Sequence, residues 1–469
     1  MYFVSFLTSL PILLAVLGRG QQTCNDNTAA DSLEGTSSAP SWLLDRLSQF
    51  GLQLHHFENT GRGLQTLHDR SPGDTVISVP KSEALTATWV LKRFPILDRA
   101  ANKSIKEYDT KLSDEQILAA GLLLLRSKYA QRSDEEVTIQ EKYVASLPEQ
   151  QYSVLQMPNI FMDCLPLAYQ NIIRAYQDRV QHLQLSLLRC FDDDDDMEKE
   201  VRSLLQSFSD FQWAFATVRS RCVGMDADDE DVDKRIRTGA VDADEVRVML
   251  PGFDLLNHRF GAKSTHDYDP AKDAYTIRSE DEYSAGDQVF ISYSDQRDNL
   301  KMLMTYGFCA RDNPVGDVFF DTHDLLLACS DARPHYFTPE TSQQIEDLLA
   351  NLGKELLYEF DGINQQPKPD LESGIRMLEE LEKQFLPEGS TDVSFYQEVL
   401  DGVLAIRRNE VTAGLKRTEK ILQQSNGEDD GDDDYKMLAW KPLLKSFQVL
   451  LEAELGFIPS SGKSEEQRL

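Results

Sequence analysis

Residues 251–258 of this chain read PGFDLLNH, residues 286–293 read GDQVFISY, and residues 306–308 read YGF. Any one of these segments is weak evidence, because Asn-His and Tyr-Gly-Phe occur by chance in many proteins. Their order, their spacing and the strand-like residues around them make the combination far more informative. We therefore expect the three segments to meet in the folded protein and to form one site.

The composition is that of a globular protein with an acidic surface. The 469 residues are enough for two or three domains, and 41 % of them are hydrophobic and 9 % aromatic. Lys and Arg number 48 against 79 Asp and Glu, which gives a formal charge of −31. Because nucleic-acid binding requires basic side chains that neutralise phosphates, this balance argues against a nucleic-acid partner and favours a protein that presents lysines.

Much of the acidic charge lies in three runs, at residues 192–196, 226–231 and 428–434. Runs of this kind are usually solvated loops, and steering of a basic substrate is the alternative interpretation.

The six cysteines are far apart and form no Cys-x-x-Cys pair; they are Cys24, Cys164, Cys190, Cys222, Cys309 and Cys329. We therefore predict no metal site and no dense disulfide framework.

The N-terminal segment resembles a targeting signal. Residues 3–17 form an apolar run with one proline, and a polar stretch follows to residue 41. The run is short for a spanning helix and is typical of a secretory signal peptide, although no Lys or Arg precedes it. We predict a targeting peptide at 1–20, a disordered linker at 21–41 and no stable membrane insertion after cleavage, with an uncleaved anchor as the alternative. The destination is either the secretory pathway, which the sequon Asn102-Lys103-Ser104 supports weakly, or a plastid of secondary origin.

Along the rest of the chain, strand and helix patterns alternate in blocks. Residues 61–80 predict a strand–turn–strand unit after a short helix at 42–50. Helical patterns follow, opened by a capping box at Ser113 and Gln116 and continued at 167–188 and 204–221. Strand patterns resume at 246–250, 274–278 and 288–293. Beyond residue 318 we predict helices at 344–360, 371–385, 395–409, 415–424 and 441–455.

These blocks predict an α+β fold. A mostly-β core occupies residues 42–317 and is interrupted by a helical insertion at about 114–222. An all-α C-terminal domain occupies 318–456, and residues 457–469 form a disordered tail.

Taken one at a time, the candidate functional residues have ordinary structural explanations. Gly61-Arg62-Gly63 can approach a ligand through its backbone, but it can also be a turn that leads into a strand. Asn257 and His258 can be turn or buried polar groups, and Tyr306 can be a core aromatic whose hydroxyl bonds to the backbone. Their coincidence in one chain is what favours a functional site.

Together, these features resemble the SET-domain lysine methyltransferases of the Rubisco large-subunit methyltransferase type. The resemblance extends from Trp42 to about Gln424. Further segments that carry it are 61–64, 73–74, 79–80, 143–148, 213–214, 218–221, 407–409 and 419–422. In that family a helical insertion splits the SET core and a helical substrate-binding domain follows it. The cysteine-rich zinc segment that many SET enzymes carry after the tyrosine motif is missing here.

The resemblance implies a cofactor, S-adenosylmethionine, and roles for named residues. Gly61, Arg62 and Gly63 would contact the cofactor largely through their backbone. Arg221 would pair with its carboxylate, since an arginine fork suits that group. The same pocket would be lined by Asp254, Asn257 and His258. Thr60 replaces the glutamate that the family has before the first loop glycine, which puts one polar contact in doubt.

In the same way, Tyr306 would orient the amine and the methyl group, and the substrate channel would be lined by Phe260, Tyr268 and Tyr293. The implied reaction is methyl transfer to a lysine of a non-histone protein. A lysine amine has a reference pKa of about 10.4, so the site must favour loss of its proton through desolvation and the nearby sulfonium.

Three other functions remain open. One branch of the family methylates histidine, whose neutral imidazole needs no deprotonation. A catalytically silent SET-fold binding module is a second alternative, although the presence of Asn257, His258 and Tyr306 argues against it. A small-molecule methyltransferase is disfavoured because it rarely needs a helical docking domain of this size. We expect a monomer.

Overall fold

The structure is a computed structural model that describes residues 39–58, 60–127, 137–192, 194–226, 245–351, 358–385, 395–424 and 439–458. Nearly all of them belong to the second of the two units into which the chain divides, Pro40–Leu469. The targeting peptide predicted at 1–20 lies outside the described residues, as do most of the linker and of the tail. No helix in these described ranges combines the length and the apolar character that crossing a bilayer requires.

The first part of the described chain, up to residue 308, mixes strands and helices. Its strands are β1 (Leu52–Phe57), β2 (Gly61–Thr66), β3 (Thr75–Pro80), β4 (Leu85–Thr86), β5 (Cys222–Asp226), β6 (Glu245–Met249), β7 (Asn257–His258), β8 (Ser264–Asp269), β9 (Ala274–Ser279) and β10 (Phe290–Ile291). Its helices are α1 (Ser41–Gln49), α2 (Ala87–Arg93), α3 (Pro95–Tyr108), α4 (Asp114–Arg126), α5 (Ile139–Ala145), α6 (Leu167–Leu188), α7 (Asp196–Leu205), α8 (Phe208–Arg221) and α9 (Asn299–Tyr306).

The strands form small sheets that join distant parts of the sequence. Strand β1 pairs with β2, β9 lies between β3 and β8, and β6 lies between β4 and β5, all antiparallel. The predicted unit at 61–80 is therefore two strands that belong to different sheets. The parallel pairing of β7 with β10, which sets Asn257 opposite Phe290 and His258 opposite Ile291, brings two of the three sequence segments together.

The helical insertion is longer than predicted, because it begins at Ala87 and not near residue 114. Its central helix, α4, begins at the predicted capping box, in which Ser113 and Gln116 exchange backbone and side-chain hydrogen bonds. The helix predicted at 204–221 is two helices, since the Ser207 hydroxyl caps a new start at α8 by accepting from the Asp210 N–H. Apolar residues from α2 to α8 share one core.

The C-terminal part is helical, as predicted, and it also contains a small sheet. Its helices are α10 (Thr322–Ala332), α11 (Pro339–Asn351), α12 (Pro369–Phe385), α13 (Phe395–Gln424) and α14 (Lys441–Phe457). Strands β11 (Asp317–Phe320), β12 (Tyr358–Asp361) and β13 (Gln366–Pro367) form an antiparallel sheet with β12 in the middle.

Three details of the C-terminal prediction are wrong. The helix predicted at 344–360 ends at Asn351, and its last residues belong to β12. The helices predicted at 395–409 and 415–424 are one helix, α13. Helix α14 continues through Phe457, where the tail was expected to begin.

A hydrophobic core crosses the predicted domain boundary at residue 318. Phe161 and Tyr169 of the insertion pack together with Leu303 of α9 and with Leu443 and Phe447 of α14. The C-terminal helices therefore stabilise the insertion that carries α6.

Next to that core lies a buried charged cluster around Arg407 of α13, whose side chain has no exposed surface. Arg407 Nη2 donates to Asp324 Oδ2 at 3.0 Å, and Glu410 and Glu454 approach the same guanidinium at 3.4 and 3.6 Å. The ring of Tyr169 covers it at 4.9 Å. Burial raises the pKa of Asp324 to about 6 and the pKa of Glu454 to about 7, because a single arginine compensates the carboxylates only in part.

Candidate active site

A cavity of about 210 Å³ lies between β5, β6, β10 and the two ends of the segment that contains α9. The first residues of β5 line it, together with Arg221, Asp254, Tyr293, Arg297 and Tyr306. Four of those five were predicted site residues, and they come from four separate stretches of sequence. Arg297 was missed.

Tyr306 is the last residue of helix α9. The strand-like residues around it in the sequence had suggested a strand. Asp298 caps the start of the helix, where its side chain accepts from the Lys301 N–H at 2.9 Å, and Gly307 caps the end in the left-handed conformation. The ring of Tyr306 lies 4.7 Å from that of Tyr293, centroid to centroid. This position holds the Tyr306 hydroxyl at the wall of the cavity.

Tyr293 links the cavity to strand β7 through two hydrogen bonds. Its hydroxyl donates to the Leu256 carbonyl oxygen at 2.8 Å, and its backbone N–H donates to His258 Nδ1 at 3.0 Å. Burial raises the pKa of Tyr293, so its hydroxyl remains protonated at neutral pH.

His258 is a neutral, half-buried ring within an aromatic group. Because Nδ1 accepts a hydrogen bond, the neutral ring carries its proton on Nε2, and burial lowers the pKa of His258. Nε2 is buried and has no hydrogen-bond partner among the described residues. The ring meets Phe260 edge-on at 4.3 Å and lies 6.1 Å from Phe308.

Asn257 holds the glycine loop that was predicted to contact the cofactor. Its Nδ2 donates to the carbonyl oxygens of Thr60 and Arg62 at 3.3 and 3.1 Å. A Cβ atom at Gly63 would lie 2.7 Å from that Nδ2 and 2.5 Å from Nε2 of Gln288, so a side chain at this position would displace both amide groups. The Asn257 amide hydrogens thus bind the loop itself, where the sequence suggested a ligand contact.

Arg221 and Asp254 form a close ion pair in the cavity wall, with 2.6 Å between Nη1 and Oδ2. The two side chains are 15 % and 4 % exposed. Burial alone would lower the pKa of Arg221, but the charge of Asp254 offsets this effect and the pKa is raised. Arg221 Nε is buried and has no partner among the described residues. Arg62 lies near this pair, and its pKa is lowered by partial burial and by the charge of Arg221.

The remaining predicted residues surround the cavity or lie apart from it. The lining does not include the loop at 61–63, Asn257, His258 or Phe260, which adjoin it through the contacts above. Tyr268 lies in the hairpin of β8 and β9, where its hydroxyl donates to Asp273 at 2.6 Å. Gln288 accepts from the Thr60 hydroxyl at 2.8 Å and was missed, although it stands in the segment 286–293.

Comparisons with known proteins identify the fold. No protein-family model matches the chain. It is 25 % identical over 290 residues to SET domain-containing protein 4 of Artemia parthenogenetica, which covers 60 % of this chain and 63 % of that protein. The chain thus matches less than two thirds of that relative's length.

Among solved structures, the chain resembles the SET domain of LSMT bound to lysine and AdoHcy, with a TM-score of 0.51, 16 % identity and coverage of 89 % of this chain and 90 % of that one. It also resembles Rubisco LSMT bound to sinefungin and monomethyllysine, with a TM-score of 0.50, 16 % identity and coverage of 91 % and 90 %. The chain therefore has the SET-domain fold of the Rubisco LSMT type, with a helical C-terminal region.

Proposed function

We propose that the chain is an S-adenosylmethionine-dependent protein methyltransferase and that its target is a lysine side chain of a non-histone protein. The observation that carries this proposal is the convergence of Arg221, Asp254, Tyr293 and Tyr306 on one cavity in a SET fold. The adjoining glycine loop, held by Asn257, gives the proposal further support.

The residues present fit the cofactor. Arg221 and Asp254 together complement an amino-acid group, because the guanidinium matches a carboxylate and the carboxylate matches an ammonium. The unused Nε of Arg221 leaves a donor for such a ligand. On the other side, the glycine loop lies against Asn257 and Gln288 next to the cavity, where its backbone could contact the cofactor. When bound, S-adenosylmethionine supplies a methyl group on a positively charged sulfur for an in-line displacement.

The protein's own contribution is positioning and control of protonation. Tyr293 remains neutral through burial and fixes β7 by its bonds to Leu256 and His258. The Tyr306 hydroxyl at the cavity wall can orient an incoming amine by accepting one of its hydrogens. The arginines in the lining disfavour a second cation, so they favour the uncharged amine that the reaction requires. Neither tyrosine has to act as a strong base.

The substrate class follows from charge. A protein of net charge −31 attracts basic partners and repels acidic ones, which suits a lysine-bearing protein and not a nucleic acid.

The direct test is transfer of a labelled methyl group. The purified protein would be incubated with isotopically labelled S-adenosylmethionine and a proteome extract, and mass spectrometry would identify the labelled residue. We expect label on lysine, and its loss in the Tyr306→Phe variant. Label on histidine would mean that the protein is a histidine methyltransferase. Cofactor binding without any transfer would indicate a catalytically silent binding module.

A further inference from the structure

Arg297 is a cation in the cavity wall whose hydrogen-bond partners are uncharged. Its Nη1 lies 3.3 Å from the hydroxyl oxygens of both Tyr306 and Thr305. The nearest acids in sequence have other partners: Asp295 accepts from Ser292, and Asp298 pairs with Lys301. No carboxylate in the described part of the chain forms an ion pair with Arg297.

The backbone from which Arg297 projects is fixed. Its carbonyl oxygen accepts from Asn313 Nδ2 at 3.0 Å, and the same nitrogen donates to Asn299 Oδ1 at 3.1 Å. Asn299 in turn exchanges two hydrogen bonds with the backbone of Ala310, each 3.0 Å long. The start of α9 and the chain beyond Tyr306 therefore hold Arg297 from both sides. Because this backbone is fixed, the Arg297 guanidinium can fix the position of the Tyr306 hydroxyl that it contacts.

The chemistry of this contact determines what the tyrosine hydroxyl can do. A guanidinium has only donors, and Nη1 carries two N–H groups, one for each hydroxyl oxygen. The Tyr306 oxygen is therefore the acceptor toward Arg297. Its own proton and its second lone pair remain available in other directions.

We propose that Arg297 is a positioning residue for methyl transfer, which holds the Tyr306 hydroxyl so that its unused lone pair faces the incoming amine. This inference rests on the proposed function. The charge of Arg297 has a second effect in the same place, because a cation at the cavity wall favours the neutral form of the amine over the ammonium. Tyr306 would then act on the substrate, and Arg297 would act through Tyr306.

The test compares Arg297→Met with Arg297→Lys and with Arg247→Met. Arg247 lines the same cavity, so its replacement removes a nearby charge without removing the contact with Tyr306. The first readout needs no substrate: tyrosine labelled with ¹³C at the hydroxyl-bearing ring carbon gives one resonance for Tyr306, assigned by its loss in Tyr306→Phe. We expect Arg297→Met to shift this resonance and Arg247→Met to leave it in place.

The second readout is the kinetics of methyl transfer, with the substrate protein that the labelling experiment identifies. We expect Arg297→Met to lower kcat by about 100-fold with little change in KM, since misplacing a catalytic group has effects of that order. Arg297→Lys should recover part of the loss. Cofactor affinity, measured by calorimetry, should match that of the unmodified protein.

Three results would overturn the inference. An unshifted Tyr306 resonance in Arg297→Met would mean that the contact does not exist. A raised KM with unchanged kcat would mean that Arg297 binds the substrate directly. If the unmodified protein bound no S-adenosylmethionine, the proposed function would fail and the reaction role with it, while the resonance would still report whether the contact exists.

Discussion

Arg221 and Arg407 each pair with an aspartate, but Arg221 lies at a cavity and Arg407 lies inside the protein. Arg221 pairs with Asp254 at the wall of a cavity that also contains Tyr293 and Tyr306. Arg407 pairs with Asp324 beneath the ring of Tyr169 and has no exposed surface.

The number of carboxylates separates the two sites. Arg221 has one carboxylate partner and lines a cavity. Arg407 has carboxylates on three sides, and their helices enclose it. An arginine paired with a single carboxylate at a cavity therefore indicates a ligand site, whereas an arginine enclosed by several carboxylates indicates a structural joint.

The largest expected effect is on stability, at the enclosed site. Arg407→Met should lower the free energy of unfolding by about 3–5 kcal/mol, because it leaves buried carboxylates without their cation. Urea denaturation measures this loss. Arg376→Met, which removes an exposed pair with Glu372, is the matched control and should cost far less than Arg407→Met. A loss for Arg407→Met as small as that of the control would contradict the structural role.

Replacement of Arg221 at the cavity should affect cofactor binding more than stability. Arg221→Met should abolish most of the affinity for S-adenosylmethionine, while its cost in stability should be smaller than that of Arg407→Met because it leaves one carboxylate without its cation and not three. Calorimetry and urea denaturation of the same two variants give the comparison. Equal losses of stability, with unchanged cofactor affinity, would make Arg221 a structural residue as well.

Removal of one hydroxyl should affect turnover but not binding. Tyr306→Phe should reduce turnover by about 100-fold, an effect of the size usual for a positioned proton-handling group, and leave cofactor affinity near normal. Tyr268→Phe is the control, since that hydroxyl bonds to Asp273 in a hairpin outside the cavity lining. If both variants kept full turnover, Tyr306 would lose its assigned role; if both lost it, Tyr268 would contact the substrate after all.

A smaller effect is expected for the loop. Asn257→Ala removes the two hydrogen bonds to the carbonyl oxygens of Thr60 and Arg62, and we expect cofactor affinity to fall about tenfold, as for the loss of one to two hydrogen bonds. Asn364→Ala, which removes exposed contacts with Asp361, should change nothing. Unaltered affinity in the Asn257 variant would separate the loop from the cofactor site.

The smallest effect concerns pH at the enclosed site. The folded-state pKa of Glu454, about 7, is above its ordinary value, as is that of Asp324, about 6, so the folded protein binds protons that the unfolded chain has released. Their stabilising contribution is complete below the ordinary carboxyl pKa and is lost as the pH rises through 6 and 7. Glu454→Gln should reduce this fall in stability between pH 5 and 8. An identical slope in both proteins would mean that Glu454 does not titrate in this range.

Much of the site could be predicted because its residues stand in short segments with fixed spacing. Tyr293 and Tyr306, which line the cavity, and Asn257 and His258, which adjoin it, all stand in those segments, and the pairing of β7 with β10 shows why the spacing matters. The secondary structure around Tyr306 was harder, since a short apolar run fits a strand and a buried helix equally well.

What the sequence did not reveal depends on contacts between distant residues. Strands β2 and β3 are neighbours in sequence but pair with β1 and β9, and no local pattern specifies such partners. Helix α13 continues through Gly414, and that position needs glycine because a side chain there would clash with the Cys164 carbonyl oxygen. Arg297 was missed for the same reason, since its importance lies in a contact with Tyr306.

The proposed function requires that the cofactor and the substrate meet in the cavity beside Arg221 and Tyr306. A crystal structure of the protein with S-adenosylhomocysteine tests it most directly. We predict that the ligand carboxylate binds Arg221 and that the backbone of the loop at 61–63 contacts the ligand. The ligand sulfur should face the Tyr306 hydroxyl. A ligand bound elsewhere, or a cavity that stays empty at saturating ligand, would contradict the account.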